Sequence, residues 1–183
     1  MATNKPVEVD DLFGQLSLAE EGKTWWVVYT KPRCEKKLAF HSYRKEIEYY
    51  LPQIESIRVY KYRKVAFTKP LFPGYIFVKC SPEQKRELII TGFTVNFLKV
   101  DNEIELLEQL KQIYKGSILG VDFQLVDFIE SGTKVEIISG PFVGLTGVVR
   151  DFKNVNEIVM QIDILRKSVA VKATTEQIKK LQG

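Results

Sequence analysis

Residues 70–78 read PLFPGYIFV, and this stretch decides how the remainder of the chain is read. It is an apolar, aromatic strand entered through Pro73 and Gly74, a bend that few other residues make easily, so its rings are presented along one edge. Alternation along the strand predicts Phe72, Gly74, Ile76 and Val78 on one face and Tyr75, Phe77 and Lys79 on the other. Residues 140–149, GPFVGLTGVV, carry a second glycine-punctuated strand pair with the glycine spacing of a very small barrel. Two such elements indicate a two-module binding protein rather than an enzyme.

Working outward from residue 70, the β-branched and aromatic run WWVVYT at 25–30 predicts a central strand stopped by Pro32. Leu38, Ala39 and Tyr43 at helical spacing, with basic residues on the other face, predict an amphipathic helix over 33–45. Residues 48–59 read as a strand broken near Pro52, and the basic run YKYRKVAFTK at 60–69 as a hairpin or mobile loop. Ser81, Pro82 and Glu83 supply an N-cap, a proline at the first helical position and an early acid, starting a second helix that runs to about Thr91. A strand over 93–100 and a third helix marked by Leu106, Leu107, Leu110 and Ile113 complete the order β, α, β, β, α, β, α. That order is α+β: a ferredoxin-like antiparallel sheet with helices on one side and the other face free for recognition. Residues 116–130, GSILGVDFQLVDFIE, read as a linker. From Ser131, short alternating strands separated by Gly, Asn and Asp predict an SH3-like barrel, with a short closing helix over 175–181. The expected domains are thus an acidic, loosely ordered tail at 1–23, a sheet domain at 24–115, the linker, and a barrel at 131–183.

The net charge of +4 conceals an asymmetry. Over residues 24–80, twelve basic residues oppose four acidic ones, whereas residues 1–23 carry five acids against two lysines. A basic surface that dense is the electrostatic footprint of a polyanion. Cys34, Cys80 and the single His41 make no zinc set, so two free thiols and no metal are expected, and no motif asks for a cofactor. No apolar run is long enough to span a bilayer and no secretory signal opens the chain, so a cytoplasmic protein is expected. Serine–histidine–aspartate sets in motif context, phosphate-cradling loops and paired-carboxylate signatures are all missing from the sequence, which argues against catalysis.

Three segments, WWVVYTKPRCEKKLAFHSYRK, PLFPGYIFV and SGTKVEIISGPFVGLTGVV, resemble the N-terminal (NGN) and KOW domains of the NusG family of transcription elongation factors, over about residues 24–181. The first domain is most similar to specialised antiterminators of the RfaH type and the UpxY type, which regulates surface-polysaccharide operons. The resemblance implies an aromatic patch that packs on the clamp helices of RNA polymerase, mapping onto Trp25, Tyr29, Phe72, Tyr75 and Phe77. Partly exposed rings on a rigid strand provide large contact area at low entropic cost. Burial in the core is the alternative for some of these rings, Trp25 and Phe72 suiting either, with Tyr75 and Phe77 the stronger candidates for contact.

The resemblance further implies that Lys31, His41, Arg44 and Lys45 meet the non-template DNA strand of the transcription bubble, through phosphate contacts and stacking. A surface histidine that is simply solvated is the alternative for His41. A gate-loop contact would fall at Lys85, Arg86 and Glu87, where the RfaH type is hydroxyl-rich. Phe142, presented by Gly140 and Pro141, would bind ribosomal protein S10 or the termination factor Rho, or else plug the barrel. The implied mechanism is bracing: binding across the clamp disfavours the opened, paused polymerase and so suppresses pausing and termination. A general NusG-like factor and a KOW-type RNA- or ribosome-binding protein are the competing readings. Against the latter, residues 131–183 hold eight basic residues and five acids, so most of the charge lies elsewhere.

Overall fold

The computed structural model describes residues 7–61 and 63–181. The chain divides into two compact units between Glu103 and Ile104. In the first unit the elements are β1 (Leu12–Phe13), β2 (Thr24–Thr30), α1 (Glu35–Arg44), β3 (Glu48–Tyr50), β4 (Gln53–Tyr60), β5 (Arg63–Pro70), β6 (Tyr75–Cys80), α2 (Pro82–Ile90) and β7 (Thr94–Lys99). The main sheet has the order β1-β3-β6-β2-β7, antiparallel throughout. Setting aside β1 and the β4–β5 hairpin, this is the expected βαββαβ order, with β6 inserted between the parallel strands β2 and β3.

Apolar spacing builds the core of this unit. Val28, Ile76, Val78 and Tyr49 from the sheet meet Leu38 and Ala39 of α1 and Leu88 of α2, all buried. Each of the valine, isoleucine and leucine side chains contributes about 1.5–3 kcal/mol by leaving water. The start of α2 is fixed by a capping box: Ser81 Oγ accepts from the Gln84 N–H at 3.3 Å, and Gln84 Oε1 accepts from the Ser81 N–H at 3.0 Å. α1 has no side-chain cap at Cys34 and draws its stability from the packing of Leu38, Ala39 and Ser42.

Residues 7–23 are not the loose tail expected. β1 pairs with β3, the Leu51 N–H donates to the Asp11 carbonyl at 2.7 Å, and the Tyr49 hydroxyl donates to the Asp10 carbonyl at 3.1 Å. Gln53 Nε2 reaches the Asp11 carboxylate at 2.7 Å and the Val9 carbonyl at 3.0 Å. Acidic composition suggested a solvated segment, but these pairings satisfy its backbone and make it a strap; residues 1–6 lie outside the described residues.

The basic run over 60–69 resolves in favour of the hairpin. β4 and β5 form their own two-stranded sheet, in register from Gln53↔Pro70 to Tyr60↔Arg63. The basic run is therefore the tip and nearly the whole second strand of a ribbon whose first strand is the second half of the strand expected before it.

The second unit contains α3 (Glu103–Ile118), which begins at the boundary, followed by β8 (Gln124–Val126), β9 (Thr133–Ile137), β10 (Thr146–Val149), β11 (Glu157–Ile162), β12 (Lys167–Lys172) and β13 (Ile178–Lys180). Its strands form one antiparallel sheet, β13-β9-β10-β11-β12-β8. Gly147 has a physical reason here: a Cβ would lie 2.7 Å from the Val159 carbonyl oxygen on the neighbouring strand. Three expectations are corrected. The linker at 116–130 contains β8, paired with β12, and buries Val121, Phe123 and Ile129. The closing helix is a single 3-10 turn, Thr175–Gln177, followed by β13. The third helix, expected with the first domain, groups with the second unit, where Gln109 exchanges hydrogen bonds with Asp163, Gln112 accepts from the Thr146 N–H, and Lys115 donates to the Gly144 carbonyl. No helix among the described residues is long and apolar enough to cross a membrane.

Candidate interaction surfaces

At the Pro73–Gly74 turn the chain enters β6 with Gly74 at φ +88°, a conformation that disfavours a side chain. Thr30 donates its N–H to the Gly74 carbonyl at 2.8 Å, and the Gly74 N–H donates to Glu35 Oε1 at 2.7 Å. Glu35 stands in the first turn of α1 and is buried, so this carboxylate ties the turn to the helix. Directly beside the turn, Tyr29 of β2 and Tyr75 of β6 are register partners with ring centroids 5.3 Å apart. Tyr29 is 41% exposed and Tyr75 half-buried. A Cβ on Gly74 would approach Tyr29 Cε2 to 3.0 Å; the glycine leaves room for the ring pair.

Three of the five expected contact rings are core residues instead. Trp25, Phe72 and Phe77 are each at most 1% exposed. The Phe77 ring stacks on Tyr50 at 6.3 Å, while Trp25 Nε1 donates to the Ser17 carbonyl of the strap at 2.9 Å. Alternation correctly separated Ile76 and Val78, which join the apolar cluster beneath the helices, from Tyr75, Phe77 and Lys79. It could not tell that the second face is buried too. Lys79, on that face, is 1% exposed, 3.0 Å from Glu48, 3.5 Å from Glu20 and above the Trp25 ring at 5.8 Å. Glu20, held chiefly by Lys23 and then by Lys79, has its carboxyl lowered from the ordinary range.

The second surface is α1 and its flanks. Lys31 and Arg44 are exposed. Lys45, also exposed, is engaged with Glu87 at 2.8 Å, which lowers the Glu87 carboxyl. His41 is half-buried, and its Nε2 has no hydrogen-bond partner among the described residues, so it is not a fully solvated surface histidine. Sequence reasoning took Tyr43 as the apolar side of the helix and passed over Phe40; both are exposed, Phe40 by 45% and Tyr43 by 55%. Tyr43 leans edge-on against Phe13 of the strap, 5.1 Å between centroids. The signal for Phe40 was its place one turn after Lys36 and Lys37 and one turn before Arg44: a ring among cations on the solvent side of a helix.

At the start of α2, Lys85 lies 3.3 Å from the centre of the Trp26 ring and 4.9 Å from that of Phe97. This interaction and the Lys45–Glu87 pair occupy two of the three residues at the gate-loop position. In the second unit, Phe142 is half-buried and follows Gly140 at φ +88°, with Val143 exposed beside it. The Leu145 N–H donates to the Phe142 carbonyl at 3.2 Å and the Gly144 N–H to the Ile137 carbonyl at 2.7 Å, closing the loop on itself. Phe142 is thus neither a buried plug nor fully presented outward.

Residues 23–112 match the family model described as the transcription termination factor NusG. The chain is 24% identical over 177 residues to the transcription termination/antitermination protein NusG of Staphylococcus carnosus (strain TM300), covering 87% of this chain and 96% of that protein. A chain from a crystal structure described as the MjSpt4:Spt5 complex, conformation B, is similar at 18% identity and a TM-score of 0.28, covering 87% of this chain and 98% of that one. With the family match spanning β2 to β7, α1, α2 and the Pro73–Gly74 turn, residues 23–112 carry a NusG-family domain.

Proposed function

We propose that this protein is a transcription termination/antitermination factor that binds RNA polymerase through the Tyr29–Tyr75 edge and holds the non-template DNA strand with the cationic side of α1. The observation that carries this reading is the Glu35–Gly74 hydrogen bond of 2.7 Å: it joins the exposed ring pair to the first turn of the basic helix, so that one rigid body offers an aromatic anchor and a polyanion surface. Tyr29 and Tyr75 are the anchors at the clamp helices. In this reading Lys31, Arg44 and Lys45 supply phosphate contacts, and Phe40 and His41 supply stacking for bases. Binding across the clamp favours the closed, processive polymerase only to the extent that the closed state is bound more tightly than the opened one.

The reading extends to an operon-specific role of the surface-polysaccharide type, motivated by the density of cations on α1, and to a cytoplasmic protein whose Phe142 loop meets S10 or Rho. A general elongation factor is the second reading, favoured by alignment over 96% of a NusG protein. The test is association of the purified chain with assembled elongation complexes at low ionic strength, followed by read-through at a terminator on matched templates with and without an operon leader. Association and leader-dependent read-through are expected. Equal read-through on both templates leaves the general factor, and failure to associate removes the polymerase reading altogether.

A further inference from the structure

The surfaces above leave the β4–β5 ribbon without a role. Its root is firmly held: Leu71 N–H donates to the Pro52 carbonyl at 2.8 Å, Lys36 Nζ donates to the Thr68 carbonyl at 2.8 Å and to its hydroxyl at 2.6 Å, and Thr68 Oγ1 bonds Gln53 Oε1 at 3.1 Å. Beyond the root the ribbon pairs only with itself. Eight register pairs at about 3.3 Å per residue give an arm of about 26 Å.

Register separates the two faces of the arm. Glu55, Ile57 and Val59 lie opposite Thr68, Ala66 and Lys64, while Ile54, Ser56 and Arg58 lie opposite Lys69, Phe67 and Val65, with Arg63 continuing this second face. The only acid of the ribbon, Glu55, is on the first face, which also exposes Ile57 by 63% and Val59 by 73%. The second face carries Arg58, Arg63 and Lys69 and no acid, with Lys61 at the tip. The Arg58 guanidinium is braced over the Phe67 ring at 5.2 Å, which orders the side chain without neutralising its charge.

From this geometry we propose that the β4–β5 ribbon is a second nucleic-acid site, for double-stranded B-form DNA, whose phosphates are met by Arg58, Arg63 and Lys69. A two-stranded ribbon fits the B-form major groove, about 12 Å wide, whereas the A-form major groove is too deep and narrow for side chains to enter. Bases are not read by this face in any sequence-specific way: Arg and Lys at strand spacing meet a backbone, and the affinity is steeply salt-dependent. The site is separate from α1, so it does not rest on the single-strand reading above.

The experiment is fluorescence anisotropy of the full chain with a 20-base-pair DNA duplex, a duplex RNA of the same sequence and a single DNA strand, over a salt series. The variant Arg58→Gln/Arg63→Gln/Lys69→Gln loses at least about tenfold in duplex DNA affinity, and the salt slope falls by about 2.7, the value for three lost phosphate contacts. All three residues are exposed on the ribbon, and circular dichroism of the variant overlays that of the parent. The charge-matched variant Lys134→Gln/Lys153→Gln/Lys172→Gln in the second unit leaves duplex binding within about twofold. The inference is overturned if the two triple variants lose affinity equally, if duplex RNA binds as tightly as duplex DNA, or if the ribbon variant loses only single-strand binding. Loss of single-strand binding on Lys31→Gln/Arg44→Gln with duplex binding intact supports two sites, whereas duplex binding falling with it to the same extent merges them and removes the second.

Discussion

Two ends of one strand pair carry rings on the same face and meet opposite fates. On β2 and β6, Tyr29 and Tyr75 sit beside the Pro73–Gly74 turn with Tyr29 open to solvent, while Trp25 and Phe77, further along the same strands, are fully buried. The N-terminal strap accounts for part of the contrast: Ser17 accepts the Trp25 indole N–H, and Ser17 and Glu20 reach the buried Lys79 ammonium. The turn end has no such cover, since its backbone is used to bind Glu35 and Thr30. Strand periodicity therefore selects a face, whereas position along the strand, set by what the flanking segments do, decides between core and contact.

The contrast is broken most forcefully by truncating one ring at each end. Phe77→Ala, at the buried end, is expected to cost about 3–5 kcal/mol of stability in urea unfolding, as large-to-small core changes do. Tyr75→Ala, half-exposed, stays below about 2 kcal/mol. Similar losses at both positions would erase the distinction. Gly74→Ala sharpens it at the turn: φ of +88° and the 3.0 Å approach to Tyr29 predict a loss of about 1–2 kcal/mol in the same measurement, with the quenching of tyrosine fluorescence altered because Tyr29 must move.

The smallest expected effect concerns the strap. Burial raises the Asp11 carboxyl above its ordinary 3.8, with the Gln53 hydrogen bonds pulling the other way. The folded chain then holds a proton that the unfolded chain has already released, so this group's contribution to stability declines as pH rises from 3.8 through the raised folded value. Asp11→Asn, whose side-chain carbonyl still accepts from Gln53, flattens that slope by less than about 1 kcal/mol across the window. An unchanged profile in unfolding experiments between pH 3.5 and 6 would show that Asp11 is not buried by the strap.

Much of the fold was legible because period and punctuation coincide. Ile76 and Val78 alternate correctly, the β-branched run around Val28 is a central strand, Ser81 and Pro82 start a helix where capping chemistry requires one, and Val135, Ile137, Val148 and Val149 lie in strands as their branching favours. What escaped reading depended on tertiary pairing. Leu12 and Phe13 are too few to announce a strand and become one only against Tyr49 and Tyr50. Residues 124–126, in a segment without clear period, are fixed as β8 by Ser168, Val169 and Ala170. At the site, the cations of α1 and its flanks were legible because a charge without a buried partner stays at the surface, and Lys31, Arg44 and Lys45 are exposed, whereas Lys79 is buried against Glu48 and Glu20. Rings are ambiguous, being equally suited to a core and to an interface. That is why sequence leaves Trp25 and Phe72 open between core and contact, points Phe77 the wrong way, and gives Phe40 only the weak mark of its cationic neighbours.

The central claim is that the open end of the strand pair, and not the closed one, is the anchor for RNA polymerase. The most direct measurement is the affinity of Tyr29→Ala/Tyr75→Ala for assembled elongation complexes, beside its thermal unfolding midpoint. The account predicts a loss of about thirtyfold or more, the scale of a paired aromatic hot spot, with the chain still cooperatively folded at the assay temperature. Parental affinity in a folded double variant would contradict it.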